Sequence, residues 1–236
     1  MHVFALGEEL VFPNPRLARR DGLLAVGGDL SRERLLLAYR RGIFPWFSAD
    51  EPILWWSPDP RLLLFPQKFH VSRSLARTLR RGRFILTMDQ AFVRVMELSG
   101  KIRQEEGAGT WITPGMIAAY ANLHAAGYAH SVEAWEAGEL VGGLYGVSLG
   151  RCFFGESMFH LAPDASKAAM AALVGQLTRW GFHFIDCQMV TDHLLSLGAL
   201  SVARNDFLTL LEDALALPDR RGTWELSPGV ERMIGK

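Results

Sequence analysis

Three strand-like runs follow one another in the middle of the chain, over residues 128–135, 140–149 and 151–159. Residues 136–138, Glu-Ala-Gly, suit a hairpin between the first two runs. A helical stretch and a further strand over 182–188 come next, and a strand that returns through a helix lies parallel to its neighbour. The sequence therefore predicts an α/β (α+β) fold with a mixed sheet and flanking helices.

Helical spacing of apolar residues predicts most of the remaining elements. The helical stretches are 31–42, 71–81, 90–98, 113–127 and 164–181, with a further helix from Thr191. Ser31, Thr113 and Asp164 can each cap the helix that comes next. A strand is predicted over 84–88, and a less regular tail comes after the last helix. The order of elements resembles the acetyltransferase-like (GNAT-like) fold.

Proline is concentrated at the start of the chain, where seven of the 11 prolines lie within the first 66 residues. Proline is largely confined to turns and sheet edges, so this segment has little regular structure. A segment this short buries too little surface to be stable alone and should pack against the rest of the chain. We therefore predict a small N-terminal domain over residues 1–65 and an acetyltransferase-like domain over residues 66–236.

Charge and cysteine content exclude several classes of protein. The 25 basic residues are balanced by 25 acidic ones, so any contact with nucleic acid has to be local. Cys152 and Cys187 make neither a zinc framework nor a disulfide scaffold, and the histidines show no paired metal spacing, so no metal is expected. The absence of a secretory signal and of a membrane-spanning run predicts a cytoplasmic protein with no membrane partner.

Two carboxylates lie inside otherwise apolar strands. Period-two alternation places Glu156 on one face with Phe154 and Met158, and Asp186 on one face with Gln188. A carboxylate against a core is costly unless it is hydrogen-bonded or paired with a cation, so such residues often mark functional sites. The alternative is a structural network in which both acids pair with Arg or Lys residues.

Several aromatic residues lie where Gly and Pro interrupt regular structure, among them Trp46 and Trp111. Such rings can stack on nucleic-acid bases or line an apolar pocket. Because each aromatic side chain buries a large area, the alternative is that they form a core between two domains.

Residues 68–83 contain six basic side chains and no acidic one. A local cluster of this kind can contact a phosphate backbone even on a neutral protein. The alternative is a solvated helix face, which is a common reason for a basic run.

Residues 104–109, Gln-Glu-Glu-Gly-Ala-Gly, match the pattern with which N-acetyltransferases hold the pyrophosphate of coenzyme A. That function needs a strand before the pattern and a helix start directly after it, so that backbone N–H groups meet the phosphates. Here a helical stretch precedes the pattern, the next helix starts only at Pro114, and two Glu side chains would repel an anion. Coenzyme A is therefore not expected as a cofactor.

Nine short strings along the chain resemble those of one family. They are DGLLAVGGDLS (21–31), RRGIFPWF (40–47), PILWWSPDPR (52–61), GTWITPGM (109–116), AHSVEAW (129–135), LVGGLYG (140–146), FFGESMFH (153–160), DASK (164–167) and IDCQ (185–188). From about Phe12 to Phe207, the chain resembles the bacterial leucyl/phenylalanyl-tRNA–protein transferase family.

The resemblance implies an enzyme, an acyltransferase whose acyl carrier is an aminoacyl-tRNA. It would move Leu or Phe, less readily Met, to the α-amino group of proteins that begin with Arg or Lys. The new N-terminal residue would mark those proteins for degradation by the N-end rule. No cofactor is implied, because the tRNA itself supplies the activated ester.

The resemblance also implies roles for particular residues. Asp186 and Gln188 are the implied catalytic pair, with Glu156 beside them. Gln188 would orient the amine, Asp186 would hold Gln188, and Glu156 or Asp186 would bind the acceptor's basic side chain. The residues implied to form the aminoacyl pocket and the adenosine-binding site are Tyr39, Trp46, Trp111, Tyr120, Leu144, Phe153 and Met158. The residues expected to bind tRNA are Arg73, Arg77, Arg80, Arg81 and Arg83.

Two other functions stay open on the sequence alone. A non-catalytic RNA- or peptide-binding module on the same fold would be expected to lack Glu156, Asp186 or Gln188, and all three are present. A coenzyme A-dependent acetyltransferase is disfavoured by the displaced glycine pattern.

Overall fold

The computed structural model describes residues 3–105, 107 and 109–230, and its strands form two sheets. The smaller sheet has the order β1-β2-β4-β3 and contains β1 (Phe4–Leu6), β2 (Leu23–Gly27), β3 (Phe44–Pro45) and β4 (Leu54–Trp56). The larger sheet contains β5 (Arg61–Leu64), β6 (Ile85–Met88), β7 (Ala129–Glu136), β8 (Glu139–Leu149), β9 (Cys152–His160), β10 (Phe184–Gln188) and β11 (Leu200–Val202).

The larger sheet has the strand order β11-β5-β10-β9-β8-β7-β6. Among its described strands, β9 and β10 are parallel and the other neighbours are antiparallel. A mixed sheet is therefore confirmed. The parallel pairing joins residues 184–186 of β10 to residues 152–154 of β9 and does not continue beyond them, so the two strands separate next to Glu156.

Helices cover both faces of the larger sheet. They are α1 (Arg32–Arg40), α2 (Arg73–Arg80), α3 (Phe92–Glu105), α4 (Pro114–Ala125), α5 (Ala165–Arg179), α6 (Asp192–Ser196) and α7 (Arg204–Leu215). On one face, α5 packs in a hydrophobic cluster with Phe153 and Ile185. On the other, α1, α3, α4 and α7 pack in a cluster with Phe154 and Phe184. Successive strand residues point to opposite faces, so the sheet lies between two cores.

Several local predictions are confirmed. Ser31 and Thr113 accept hydrogen bonds from backbone N–H groups in the first turns of α1 and α4, and so cap these helices. The hairpin between β7 and β8 turns on Ala137 and Gly138, which both have positive φ. Positive φ at both central residues matches the twist of the flanking strands.

Three local predictions are wrong. Asp164 has a left-handed backbone (φ 68°) and its side chain does not cap α5; it accepts a hydrogen bond from the Thr78 hydroxyl instead (3.0 Å). α3 continues to Glu105, beyond its predicted end. The tail is predicted to be less regular, but its first part holds β11 and the 12-residue α7, and only the described residues after α7 are less regular. Ala203 precedes α7 and has no side-chain oxygen, so the sequence carries no capping signal there.

A β-bulge at Glu156 breaks the predicted alternation in β9. The register of β9 against β8 shifts at this residue, which is the extra one on its strand. As a result Phe154 and Met158 pack into different clusters, on opposite faces of the sheet. The predicted common face of Phe154 and Met158 is therefore wrong.

The predicted boundary at residue 65 stays a prediction; β5 precedes it and already belongs to the larger sheet. The glycine pattern at 104–109 includes Glu106 and Ala108, which lie outside the described residues. Within the described part of the chain, none of the helices combines the length and the apolar character needed to cross a bilayer. The predicted cytoplasmic location stays a prediction.

Gly142 of β8 sets how closely α5 approaches the sheet. A Cβ at this position would lie 2.5 Å from the Cβ of Ala165 and 3.0 Å from the backbone nitrogen of Ser166. We therefore expect Gly142→Ala to lower the free energy of unfolding by about 1–3 kcal/mol, because a packed core resists added volume. Urea unfolding measures this change.

Gly115→Ala is the matched control. Gly115 is exposed on α4, and its added Cβ would meet only the Thr113 hydroxyl, at 3.8 Å. Alanine favours the helix, so stability should stay unchanged or rise. Equal losses in the two variants would contradict the packing argument.

Candidate active site

Arg61 and Asp186 form a buried ion pair below the site. Both side chains are fully buried, with Nη2 2.6 Å from Oδ2 and Nε 2.8 Å from Oδ1. The guanidinium lies between the rings of Phe44 and Phe207, 4.8 Å and 4.6 Å from their centroids, and donates to the carbonyl of Gly42 (3.2 Å). Two parallel charge-assisted hydrogen bonds compensate both charges. Asp186 is therefore paired with an arginine inside the protein, as expected if this acid belongs to a structural network.

A second β-bulge places Gln188 beside Asp186. The register of β10 against β5 shifts between these two residues, which leaves Cys187 as the extra one. Gln188 has a φ of 62°, in the left-handed region that residues other than glycine rarely adopt. Its backbone N–H donates to Oδ1 of Asp186 (3.0 Å). Asp186 therefore holds Gln188 through the main chain.

Glu156 accepts three side-chain hydrogen bonds at the bulge of β9. Its Oε1 accepts from the Tyr39 hydroxyl (2.8 Å) and from Nε2 of Gln188 (2.8 Å), and its Oε2 accepts from the Tyr120 hydroxyl (3.3 Å). The two tyrosine hydroxyls also lie in contact with each other, and because each has one hydrogen, all three oxygen–oxygen contacts can be hydrogen bonds only when Glu156 carries a proton. Burial raises the pKa of Glu156 to about 7, and the three donors only partly offset this effect. Glu156 thus titrates near neutral pH, as a group that transfers protons should.

A cavity of about 400 Å³, here called the central cavity, lies where β9 and β10 separate. Glu156 and Gln188 line it and are only 8% and 9% exposed. Among the described residues around it, Glu156 is the one carboxylate. Its other walls are mainly apolar and include Met170, Leu173, Ile185 and Leu194. The site therefore combines an apolar chamber with a few polar groups, among them the Glu156–Gln188 pair and Arg103.

The structure brings most of the predicted pocket residues to this cavity. Those that line it are Trp46, Trp111, Leu144, Phe153 and Met158. Tyr39 and Tyr120 do not, because both side chains are fully buried with their hydroxyls on Glu156. The structure thus places both hydroxyls on the acid, and a contact of these two tyrosines with the adenosine or the amino acid stays a prediction. Burial raises the pKa of both tyrosines well above the usual value, so they stay protonated donors.

The predicted RNA-binding arginines lie together on the outside of the molecule. Arg73, Arg77, Arg80, Arg81 and Arg83 are all exposed, on α2 and the loop after it. Arg83 also pairs with Glu136 (2.7 Å). A hydrogen bond from Thr78 to Asp164 joins α2 to the start of α5. The run is therefore an exposed basic surface beside α5.

The sequence does not single out two arginines that the structure places at the site. Arg61 directly follows a proline-rich stretch, so the sequence does not predict the strand to which it belongs. The one sequence feature that could have indicated its role is the position of a cation directly before the apolar run 62–65. Arg103 lies beyond the predicted end of α3. It lines the central cavity, with its guanidinium 4.2 Å from the centroid of the Trp111 ring and its Nε donating to the Ser157 hydroxyl (3.3 Å).

Fold and site together define a mixed α/β protein that sets a near-neutral acid and a glutamine in the wall of an apolar cavity, with a basic surface nearby. Residues 63–212 match the leucyl/phenylalanyl-tRNA protein transferase family, and residues 28–59 match the N-terminal domain of that family. The chain belongs to this family, as its sequence motifs predict.

Two relatives show how far the similarity extends. The chain is 62% identical over 226 residues to the leucyl/phenylalanyl-tRNA–protein transferase of Desulfatibacillum aliphaticivorans, which covers 96% of this chain and 97% of the relative. It is 58% identical over 225 residues to the protein of the same name from Syntrophobacter fumaroxidans, with 95% and 96% covered.

A solved structure is similar at a lower level. L-PGS from Bacillus licheniformis has 12% sequence identity and a TM-score of 0.40, over 90% of this chain and 73% of that one. This similarity is too weak to carry an argument, and the acetyltransferase-like assignment stays a prediction.

Removal of one partner from the Arg61–Asp186 pair leaves a buried charge uncompensated. We expect Arg61→Met to lower the free energy of unfolding by about 3–5 kcal/mol. The matched control is Arg32→Met, which removes an arginine from an exposed pair with Glu33 (2.8 Å) and should change stability little. Urea unfolding compares the two variants. An Arg61→Met protein as stable as the wild type would contradict the role given to this pair.

The raised pKa of Glu156 makes stability depend on pH. Its folded-state pKa of about 7 lies above the ordinary value of 4.5, so the folded protein keeps a proton that the unfolded chain releases. The contribution of this proton to the free energy of unfolding is fully present at pH values below 4.5 and is lost as the pH rises through 7. Glu156→Gln has no such proton. Between about pH 5 and about pH 7, the wild type should therefore lose stability relative to Glu156→Gln, by up to roughly 1.4 kcal/mol per pH unit.

Urea unfolding of both proteins at several pH values across this range measures the difference. A difference that does not change with pH would show that Glu156 titrates at its ordinary value.

Proposed function

We propose that this protein transfers Leu or Phe, and less readily Met, from aminoacyl-tRNA to the α-amino group of proteins that begin with Arg or Lys. The transfer marks those proteins for degradation by the N-end rule. The observation that carries the proposal is the position of Glu156 and Gln188, a near-neutral acid and an amide in contact, in the wall of an apolar cavity. The names of the relatives support it.

The central cavity receives the side chain of the donor amino acid. Leu144, Phe153 and Met158 supply an apolar wall, and a flexible methionine adapts to Leu or Phe alike. Such walls discriminate by only about 1–3 kcal/mol per methylene, which suits an enzyme that accepts more than one apolar residue. Trp46, which is 37% exposed, and Trp111 lie with their rings 6.1 Å apart and offer stacking faces for the terminal adenosine.

The reaction forms a C–N bond between the aminoacyl carbonyl carbon and the acceptor amine and breaks the C–O bond to the ribose. The amine loses a proton, and the ribose oxygen gains one. Because the ester is already activated, much of the rate comes from correct positioning. The nitrogen of the Gln188 amide donates to Glu156, and its oxygen can accept an N–H of an incoming amine that lies beside Glu156. Glu156 takes the proton from the amine and returns it to the ribose oxygen.

The acceptor is recognised by charge. Asp186 is already neutralised by Arg61, whereas Glu156 is the one carboxylate among the described residues that line the cavity. We therefore assign the attraction of a basic N-terminal residue to Glu156. Asp186 has a positioning role, since it fixes the main chain of Gln188.

The donor RNA binds on the exposed basic surface. Its side chains, Arg73, Arg77, Arg80, Arg81 and Arg83, can neutralise several phosphates of the acceptor stem. Because the tRNA carries the acyl group, the proposal involves neither coenzyme A nor a metal.

Transfer of label tests the proposal. The protein is incubated with radiolabelled leucyl-tRNA and a protein that begins with Arg, without coenzyme A, and label is measured in the acid-stable, RNase-resistant fraction. We expect transfer by the wild type. Gln188→Ala should lower the rate about 10²-fold through lost positioning, and Glu156→Gln about 10²- to 10⁴-fold through lost proton transfer. Gln67→Ala, which alters an exposed glutamine away from the cavity, should keep the wild-type rate.

The outcomes separate the competing functions. Binding of leucyl-tRNA without transfer would favour a non-catalytic RNA-binding module. Transfer at wild-type rates by both Gln188→Ala and Glu156→Gln, with saturating tRNA, would leave the function in place and refute the residue roles.

A further inference from the structure

A second cavity, of about 470 Å³ and here called the side cavity, lies beside the central cavity. It is bounded by α3, the end of β9 and the start of α5, with His193 of α6 at its edge. Arg103 and Met158 line both cavities, so the two share a wall. The proposed transfer reaction uses only the central cavity.

Basic groups dominate the side cavity. Arg103, Lys167, His160 and His193 line it, and Asp164 is the one acid among the described residues around it. Arg103 and Lys167 supply the positive charge, whereas burial, and then the charges of Lys167 and His160, lower the pKa of His193 and favour its neutral form. An anion in this cavity would meet a net positive charge.

The single acid of the side cavity is already engaged. One oxygen of Asp164 accepts a hydrogen bond from the Thr78 hydroxyl (3.0 Å), and the other lies 3.8 Å from Nζ of Lys167. Because Lys167 is only half-buried and this contact is long, its ammonium group can also contact a ligand.

Ser99 is a second feature of the side cavity that favours a ligand, and it does so independently of charge. Ser99 is among the residues that line the side cavity, is 1% exposed, and has a hydroxyl without a hydrogen-bond partner among the described residues. A buried hydroxyl of this kind is costly unless a ligand or a water satisfies it. The start of α5 lies in the same wall, and no side chain caps it. Uncapped N–H groups at the start of a helix also favour an anion.

The side cavity lies between the basic surface and the central cavity. On its outer side, Arg83 of the basic surface donates to the carbonyl of Pro163, a residue of the cavity wall (3.5 Å). On its inner side, Arg103 stacks on Trp111, one of the rings assigned to the terminal base. An RNA strand that runs from the basic surface to the central cavity would therefore pass the side cavity, and its last phosphate would lie closest to this cavity.

We propose that the side cavity binds the phosphate that joins the last two nucleotides of the donor RNA. Lys167 and Arg103 supply the cations, and Ser99 supplies a hydroxyl donor. This inference rests on the proposed function and deepens it, because it assigns the position of the terminal nucleotide relative to the reacting ester.

Two stable donor analogues test the inference through binding alone. The probes are 3′-leucylamino-3′-deoxyadenosine and the same compound with a 5′-phosphate, and isothermal titration calorimetry gives both dissociation constants. The wild type should bind the phosphorylated analogue about tenfold more tightly, as expected for charge-assisted contacts to one phosphate. Lys167→Met should lose most of this difference and bind the unphosphorylated analogue as the wild type does.

Two further variants serve as controls. Lys167→Arg keeps a cation and should keep most of the preference for phosphate. Lys101→Met removes an exposed lysine from the same helix as Arg103 but outside the cavity, and should leave the preference unchanged.

The possible failures are distinguishable. If the wild type binds both analogues equally, or if Lys167→Met weakens both by the same factor, the phosphate site is refuted while the proposed function stands. If the wild type binds neither analogue, the proposed function itself fails and the inference fails with it.

Discussion

The buried ion pair between Arg61 and Asp186 is the contact on which the rest of the site depends. Arg61 begins β5 and lies between rings from β3 and α7, so one guanidinium joins both sheets and the last helix. The Asp186 oxygen that faces Nε of Arg61 also accepts the backbone N–H of Gln188. Gln188 then reaches Glu156, which is held by two tyrosine hydroxyls. These polar groups can be buried in an apolar interior because each forms a hydrogen bond or an ion pair with the next one.

Both strands at the site carry an extra residue beside the chemistry. The extra residue is Glu156 itself in β9 and Cys187 in β10. A regular strand would send these side chains alternately to the two cores, whereas a bulge redirects them. The parallel pairing of the two strands also ends here, so the central cavity occupies the gap that opens between them.

Local signals were enough to predict the middle strands of the larger sheet and most of its helices. They did not predict β5, β11, α7 or the strands of the smaller sheet, nor the contacts between distant residues. The cap at Thr113 and the turn at Gly138 can each be read within a few residues. Acids inside apolar strands are equally visible, and they led to the site. The partner of Asp186 lies 125 residues away and gives no local sign. The bulge at Glu156 directly follows Gly155, and a glycine inside a strand is typical of a bulge, but plain alternation ignores this signal and so misplaced Met158. The family resemblance named Trp46, Trp111 and five other residues of the cavity wall but could not show that two tyrosines face the acid.

The hydroxyl groups that set the acidity of Glu156 come from distant parts of the chain. Tyr39 lies in α1, 117 residues before Glu156, and Tyr120 lies in α4, 36 residues before it. Without these donors the carboxylate would be equally buried but would hold its proton more tightly. A protein that kept β9 but lost α1 would still have Glu156, but with one hydroxyl donor fewer and a higher pKa. The acid–base behaviour of Glu156 therefore depends on α1 and α4 as much as on the strand that carries the residue.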